Sequence, residues 1–156
     1  MKFSTKEDVE VPIDAAFAMM CDFEGFERAA MRRGAEVQRT DTKTVPGVGM
    51  GWRAAFNLRG KRRQVDLEMI SFDKPEEMVI ECRSQGLLCL MTLELAALSK
   101  NRTRIMLTFD IKPLNLSARL LVQSLKLAKT TLTKKFKLRV AEFAKDLETR
   151  YKPGQV

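Results

Sequence analysis

The chain has 156 residues, 45% of them apolar and 31% charged. That suits one globular domain of ordinary size and excludes both a membrane bundle and a disordered chain. It contains no histidine, which removes Ser-His-Asp and Cys-His catalysis, histidine metal sites and histidine proton shuttles together.

The net charge of +8 is unevenly placed. Residues 1–114 carry 18 Lys and Arg against 17 Asp and Glu, whereas residues 115–156 carry 10 against 3. The basic excess belongs to the C-terminal segment, where it fits either an anionic partner surface or a solvated helix face. Cys21, Cys82 and Cys89 form no CxxC, so zinc-ribbon and thioredoxin-like motifs are excluded. MKFSTKEDVEV has no apolar signal core, and no run of about 18 apolar residues occurs. The expectation is a cytoplasmic protein with reduced thiols.

In chain order, residues 2–11 alternate as a strand that Pro12 stops. Residues 13–20 read as a short helix with Asp14 near its N-terminus. Phe23, Phe26, Ala30 and Met31 follow at helical spacing, interrupted by Gly25 and stopped by Gly34. From Ala35 the period becomes two. Strands are expected at 35–40 and 51–58, around Val65-Leu67-Met69 and Met78-Ile80-Cys82, then around Cys89-Met91-Leu93-Leu95 and Ile105-Leu107-Phe109-Ile111. Gly60, Asp73-Lys74-Pro75, Gln85-Gly86 and Lys100-Asn101 turn the chain between them. This is an antiparallel meander with one buried face, which something must cover.

Residues 115–150 contain neither Pro nor Gly, so one helix about 50 Å long is expected there. Ala118, Leu121, Leu125, Ala128, Leu132, Phe136, Val140, Phe143 and Leu147 form a stripe along it. A bent sheet around such a helix rarely closes completely, and the gap is a natural apolar cavity. The fold class is therefore α+β: a curved antiparallel sheet of about seven strands around a long C-terminal helix, with two short helices after the first strand. One domain is expected over 1–151, with a tail at 152–156.

Five features in this order resemble the START-like, or helix-grip (SRPBCC), superfamily of polyketide cyclase/dehydrase and lipid-transport-like proteins. They are Val9-Glu10-Val11-Pro12-Ile13-Asp14-Ala15-Ala16-Phe17, Gly49-Met50-Gly51-Trp52, Phe72-Asp73-Lys74-Pro75-Glu76-Glu77-Met78, Asn101-Arg102-Thr103-Arg104-Ile105 and the final helix. The resemblance covers nearly the whole chain. It implies the helix-grip fold, and that superfamily hosts carriers, cyclases, hydrolases and interaction modules alike.

The inward strand residues Trp52, Phe56, Leu67, Met69, Ile80, Cys82, Met91, Leu107 and Phe109 are expected to line the sheet side of the cavity. Leu121, Leu125, Ala128 and Leu132 are expected on the helix side, with hydroxyls from Ser124 and Thr131 at its border. The alternative is that these side chains simply pack together as core. The ligand would be a lipid, isoprenoid, polyketide or aromatic molecule. Lys134, Lys135, Lys137 and Arg139, and separately Arg59, Lys61, Arg62 and Arg63, gather cations. Each reads as a solvated face or as a contact with anionic lipid. Nucleic acid is disfavoured, since no aromatic platform interleaves with the bases.

A two-residue turn at Gln85-Gly86 would pair Cys82 with Cys89 on the inward face, most simply as two reduced thiols. Asp66, Glu68, Glu81, Glu94 and Asp110 alternate with the apolar set and point outward, which leaves no acid pair on the concave side. No catalytic residue, metal or cofactor is expected. Binding of an apolar small molecule is the leading expectation, with a cyclase/dehydratase-type enzyme and a ligand-free interaction module as alternatives.

Overall fold

A computed structural model describes residues 1–153. The last three residues of the tail expected at 152–156 lie outside the described residues. The chain runs β1 (Lys2–Val9), α1 (Ile13–Met20), α2 (Phe23–Arg32), β2 (Glu36–Arg39), β3 (Gly51–Leu58), β4 (Lys61–Asp73), β5 (Glu77–Ser84), β6 (Leu87–Ser99), β7 (Arg102–Pro113), α3 (Leu116–Leu127) and α4 (Lys129–Arg150). The seven strands form one antiparallel sheet in the order β1-β7-β6-β5-β4-β3-β2. Consecutive hairpins build β2 to β7, and β1 returns to pair with β7.

Register follows the alternation. Trp52 lies opposite Leu67, Leu67 opposite Cys82, and Cys82 opposite Cys89. The last pair depends on the Gln85-Gly86 turn, in which both residues adopt positive φ, 40° and 81°, as a type I′ hairpin turn requires. Gly86 has a second reason to be glycine: a Cβ there would strike the Asn115 side chain. Asn115 in turn caps α3 by accepting from the Ala118 N–H at 2.8 Å. The β4–β5 register shifts between Met69 and Ser71, a bulge that bends the strand and deepens the curve of the sheet.

Two expectations change. Gly25 does not interrupt a segment. It sits inside α2, one turn from Asp22, whose carboxylate accepts from its N–H at 3.2 Å as the helix cap; a Cβ at Gly25 would strike that carboxylate. The single helix expected over 115–150 is two helices, broken at Ala128, whose φ is −102° and ψ 13°. The Ala128 N–H bonds to the Leu125 carbonyl at 3.0 Å, three residues back. No Pro or Gly marks the break. Thr130, Thr131 and Thr133 follow it immediately, and β-branched residues weaken helix continuity.

The dense core gathers side chains from β1, α1, β4 and α4. Val9, Val11, Phe17, Met69 and Leu147 are completely buried there, and the Phe17 and Phe72 rings meet edge to face at 5.4 Å. Thr103 is the buried polar residue of this core, and its hydroxyl donates to the Val11 carbonyl at 2.7 Å, so neither group is left unpaired. α1 packs on β6 and β7, α4 on β1, and α3 on β7.

Candidate functional site

Between the sheet, α2 and α4 lies a cavity of about 520 Å³, within the range of small-molecule sites. Its floor is the concave face of the sheet, with Trp52, Leu67, Ile80, Met91, Leu107 and Phe109. One wall is α2, through Phe23, Phe26, Glu27 and Ala30, and the other is α4, through Phe136, Arg139, Val140 and Phe143. Aromatic contacts tie these walls together. Phe23 meets Trp52 at 5.3 Å between ring centroids, Phe26 meets Phe143 at 5.6 Å, and Phe109 meets Phe136 edge-on at 5.8 Å. Phe26 and Arg139 are exposed and mark the solvent edge.

The lining is apolar apart from Glu27 and Arg139. Glu27 accepts from the Trp52 indole N–H at 3.2 Å, which fixes the ring's orientation. The Arg39 guanidinium lies 5.6 Å from the centre of the Trp52 ring, within cation–π range. Arg39 is held in turn by a bidentate pair with Asp41, at 2.9 and 2.6 Å. Asp41 also accepts the N–H groups of Lys43 and Gly51, both at 2.8 Å. The Arg39 hydrogen bond, helped by these N–H groups, holds the Asp41 carboxyl well below the usual carboxylate range.

Six of the nine sheet residues expected at the cavity line it: Trp52, Leu67, Ile80, Met91, Leu107 and Phe109. Met69 lies instead in the dense core, and Phe56 is half-buried further along β3. Cys82 faces its cross-strand neighbour Cys89, and both thiols are free. The hydrogen bond with Cys89, then burial, pushes the Cys82 thiol up, while the same bond lowers Cys89. Burial raises Cys21 to about 11. A thiol raised in this way, as at Cys21 and Cys82, is a poor nucleophile.

The helix side is placed differently from the expectation. Leu121, Leu125, Ala128 and Leu132 are half-buried on α3 and the first turns of α4, outside the cavity wall. Ser124 accepts from Arg59 at 2.9 Å, and Thr131 is exposed. The cavity takes the next part of the same stripe, Phe136, Val140 and Phe143, and the whole inner face of α2. Both were visible as helical spacing; nothing in the spacing told wall from core. In the sequence Arg139 stands out only as part of a cationic cluster.

Three of the outward carboxylates, Asp66, Glu68 and Glu81, are engaged in ion pairs at the surface. Arg53 meets Asp66 at 2.9 Å, and Arg83 bridges Glu68 and Glu81. Such pairs contribute at most about 1 kcal/mol each. Among the described residues no group of three His, Cys, Asp or Glu is placed to hold a metal ion, and no helix is long and apolar enough to cross a membrane.

No family model matches the chain, and no curated protein matches it in sequence. Solved structures do match in shape. The Zhui aromatase/cyclase from Streptomyces sp. R1128 superposes with a TM-score of 0.66 at 12% identity, over 100% of this chain and 99% of that one. The protein TTHA0849 from Thermus thermophilus gives 0.64 at 16% identity, over 96% of each chain. PFC0360w, an HSP90 activator from Plasmodium falciparum, gives 0.53 at 20% identity, over 84% of this chain and 89% of that one. These likenesses concern the backbone, and with the curved seven-stranded sheet and its C-terminal helix they establish that this chain has the helix-grip fold.

Proposed function

We propose that this chain binds and carries an apolar small molecule in the cavity between the sheet, α2 and α4. The observation that supports this reading most is a hollow of about 520 Å³ whose lining contains only two charged residues. Each methylene taken from water into such a site contributes about 0.8 kcal/mol, so affinity should rise with ligand length until the cavity is full. A cyclase would need an acid–base pair on the wall, whereas the lining holds a single carboxylate, Glu27, engaged by the Trp52 indole. The reading includes a cytoplasmic location, where three thiols stay reduced.

The test is uptake of a neutral fluorescent apolar probe, with native mass spectrometry of protein purified from its host. Ala54 lies on the cavity floor, and Ala54→Trp should fill it. Uptake should fall at least about tenfold, equivalent to 1.4 kcal/mol, while the melting temperature stays close to wild type. Unchanged uptake would sink the proposal.

A second part of the reading is transient docking on anionic membrane. The observation favouring it is the outer side of α3, where Leu116, Leu120 and Leu127 are 72%, 59% and 92% exposed beside Arg119 and Lys126. Residues 115–156 carry ten cations against three anions, so a second copy on this face would bring like charges together. An anionic bilayer satisfies both the leucines and the charge. Leu120→Glu with Leu127→Glu should abolish sedimentation with phosphatidylserine vesicles at low salt. Binding equal to wild type would remove this part and leave the cavity reading intact.

A further inference from the structure

The cavity wall holds two charges, Glu27 and Arg139, and only Glu27 has a hydrogen-bond partner, the Trp52 indole. Arg139 stands on α4 three residues after Phe136 and four before Phe143, a spacing that puts all three side chains on one helix face. That placement separates it from Lys134, Lys135 and Lys137, which lie outside the lining. Arg139 makes no ion pair among the described residues. It lies at the solvent edge of a hollow that is apolar apart from it and Glu27, where a guanidinium presents a planar fork of donors suited to an oxyanion.

We propose that the ligand is an amphiphile: an apolar chain or ring system in the cavity, ending in a carboxylate or phosphate that Arg139 pairs at the mouth. This rests on the cavity reading and sharpens it. A neutral hydrocarbon would leave the exposed guanidinium with water alone at the rim. An anionic head supplies the missing partner and keeps its own far side in water, which limits the desolvation cost. The arrangement also fixes direction, tail inward and head outward, which an apolar pocket alone does not.

The test is displacement of the neutral probe phenylnaphthylamine by decanoate, decyl phosphate and decanol, with wild type, Arg139→Gln and Lys137→Gln. Wild type should bind at least one of the two anions about tenfold more tightly than decanol, and which one identifies the head group as carboxylate or phosphate. Arg139→Gln should lose that preference while keeping its affinity for decanol, and Lys137→Gln should keep both. Equal binding of all three ligands by wild type, or a preference that survives Arg139→Gln, overturns the head-group proposal while probe and decanol uptake leaves the cavity reading standing. If wild type takes up neither probe nor any of the three, both fall.

Discussion

The two ends of the C-terminal helical segment are used in opposite ways. At the far end of α4, Ala144 and Leu147 are sealed against Val9, Val11 and Phe17. In α3 only Ala118 and Val122 are buried, and three leucines stand in solvent. The apolar stripe runs through both ends, yet its members Leu121 and Leu125 are only half-buried in α3, so hydrophobicity alone does not decide which residues a helix buries. What decides is the surface opposite: α4 packs along β1 and its end joins the core cluster that holds Ala15, Ala16 and Phe17 of α1, whereas α3 packs on β7 and touches α4 and Arg59 besides.

This difference can be tested by truncation. Leu147→Ala removes a completely buried side chain and should cost about 2–5 kcal/mol in urea denaturation, because the packed surroundings cannot collapse into the space. A cost below about 1 kcal/mol would show that the dense end is not dense. Asp41→Asn should cost less, about 1–3 kcal/mol, by weakening the charge-assisted bonds that pin Arg39 and the N–H of Gly51.

The pH dependence of that contribution has a definite sign. The Asp41 carboxyl is held below its unfolded value, so its stabilisation is complete above about pH 4 and is lost as the pH falls further. The wild type should therefore lose its advantage over Asp41→Asn in acid, and a constant difference from about pH 7 to about pH 2 would refute the assignment. Leu127→Ala, at 92% exposure, should shift stability by less than about 0.5 kcal/mol. A larger loss would mean that α3 is covered by something in solution.

The strands could be read from period two because each face has a different solvent, and even the Cys82–Cys89 register followed from the length of a single turn. The fold class was legible for that reason. The break at Ala128 was not, because helix continuity there is lost through several small propensity terms, not one Pro or Gly. The cavity floor was largely legible, since inward strand residues are fixed by alternation. Its helical walls were not. Phe23, Phe26 and Ala30 have the spacing of any buried helix face, and whether such a face meets side chains or a hollow depends on the curvature of a sheet formed by residues far along the chain. Met69 illustrates the converse: it shares the alternation of Leu67, yet the next residue begins the bulge, and the strand carries it into the core.

The interruption at Ala128 makes the C-terminal segment two levers rather than one rod. Opening α3 forfeits the Asn115 cap and the burial of Ala118 and Val122, whereas opening α4 unseals the dense core at Leu147. Amide exchange should accordingly be quicker along the first lever than along the C-terminal half of the second, so the outer arm can loosen while the inner one keeps the domain folded.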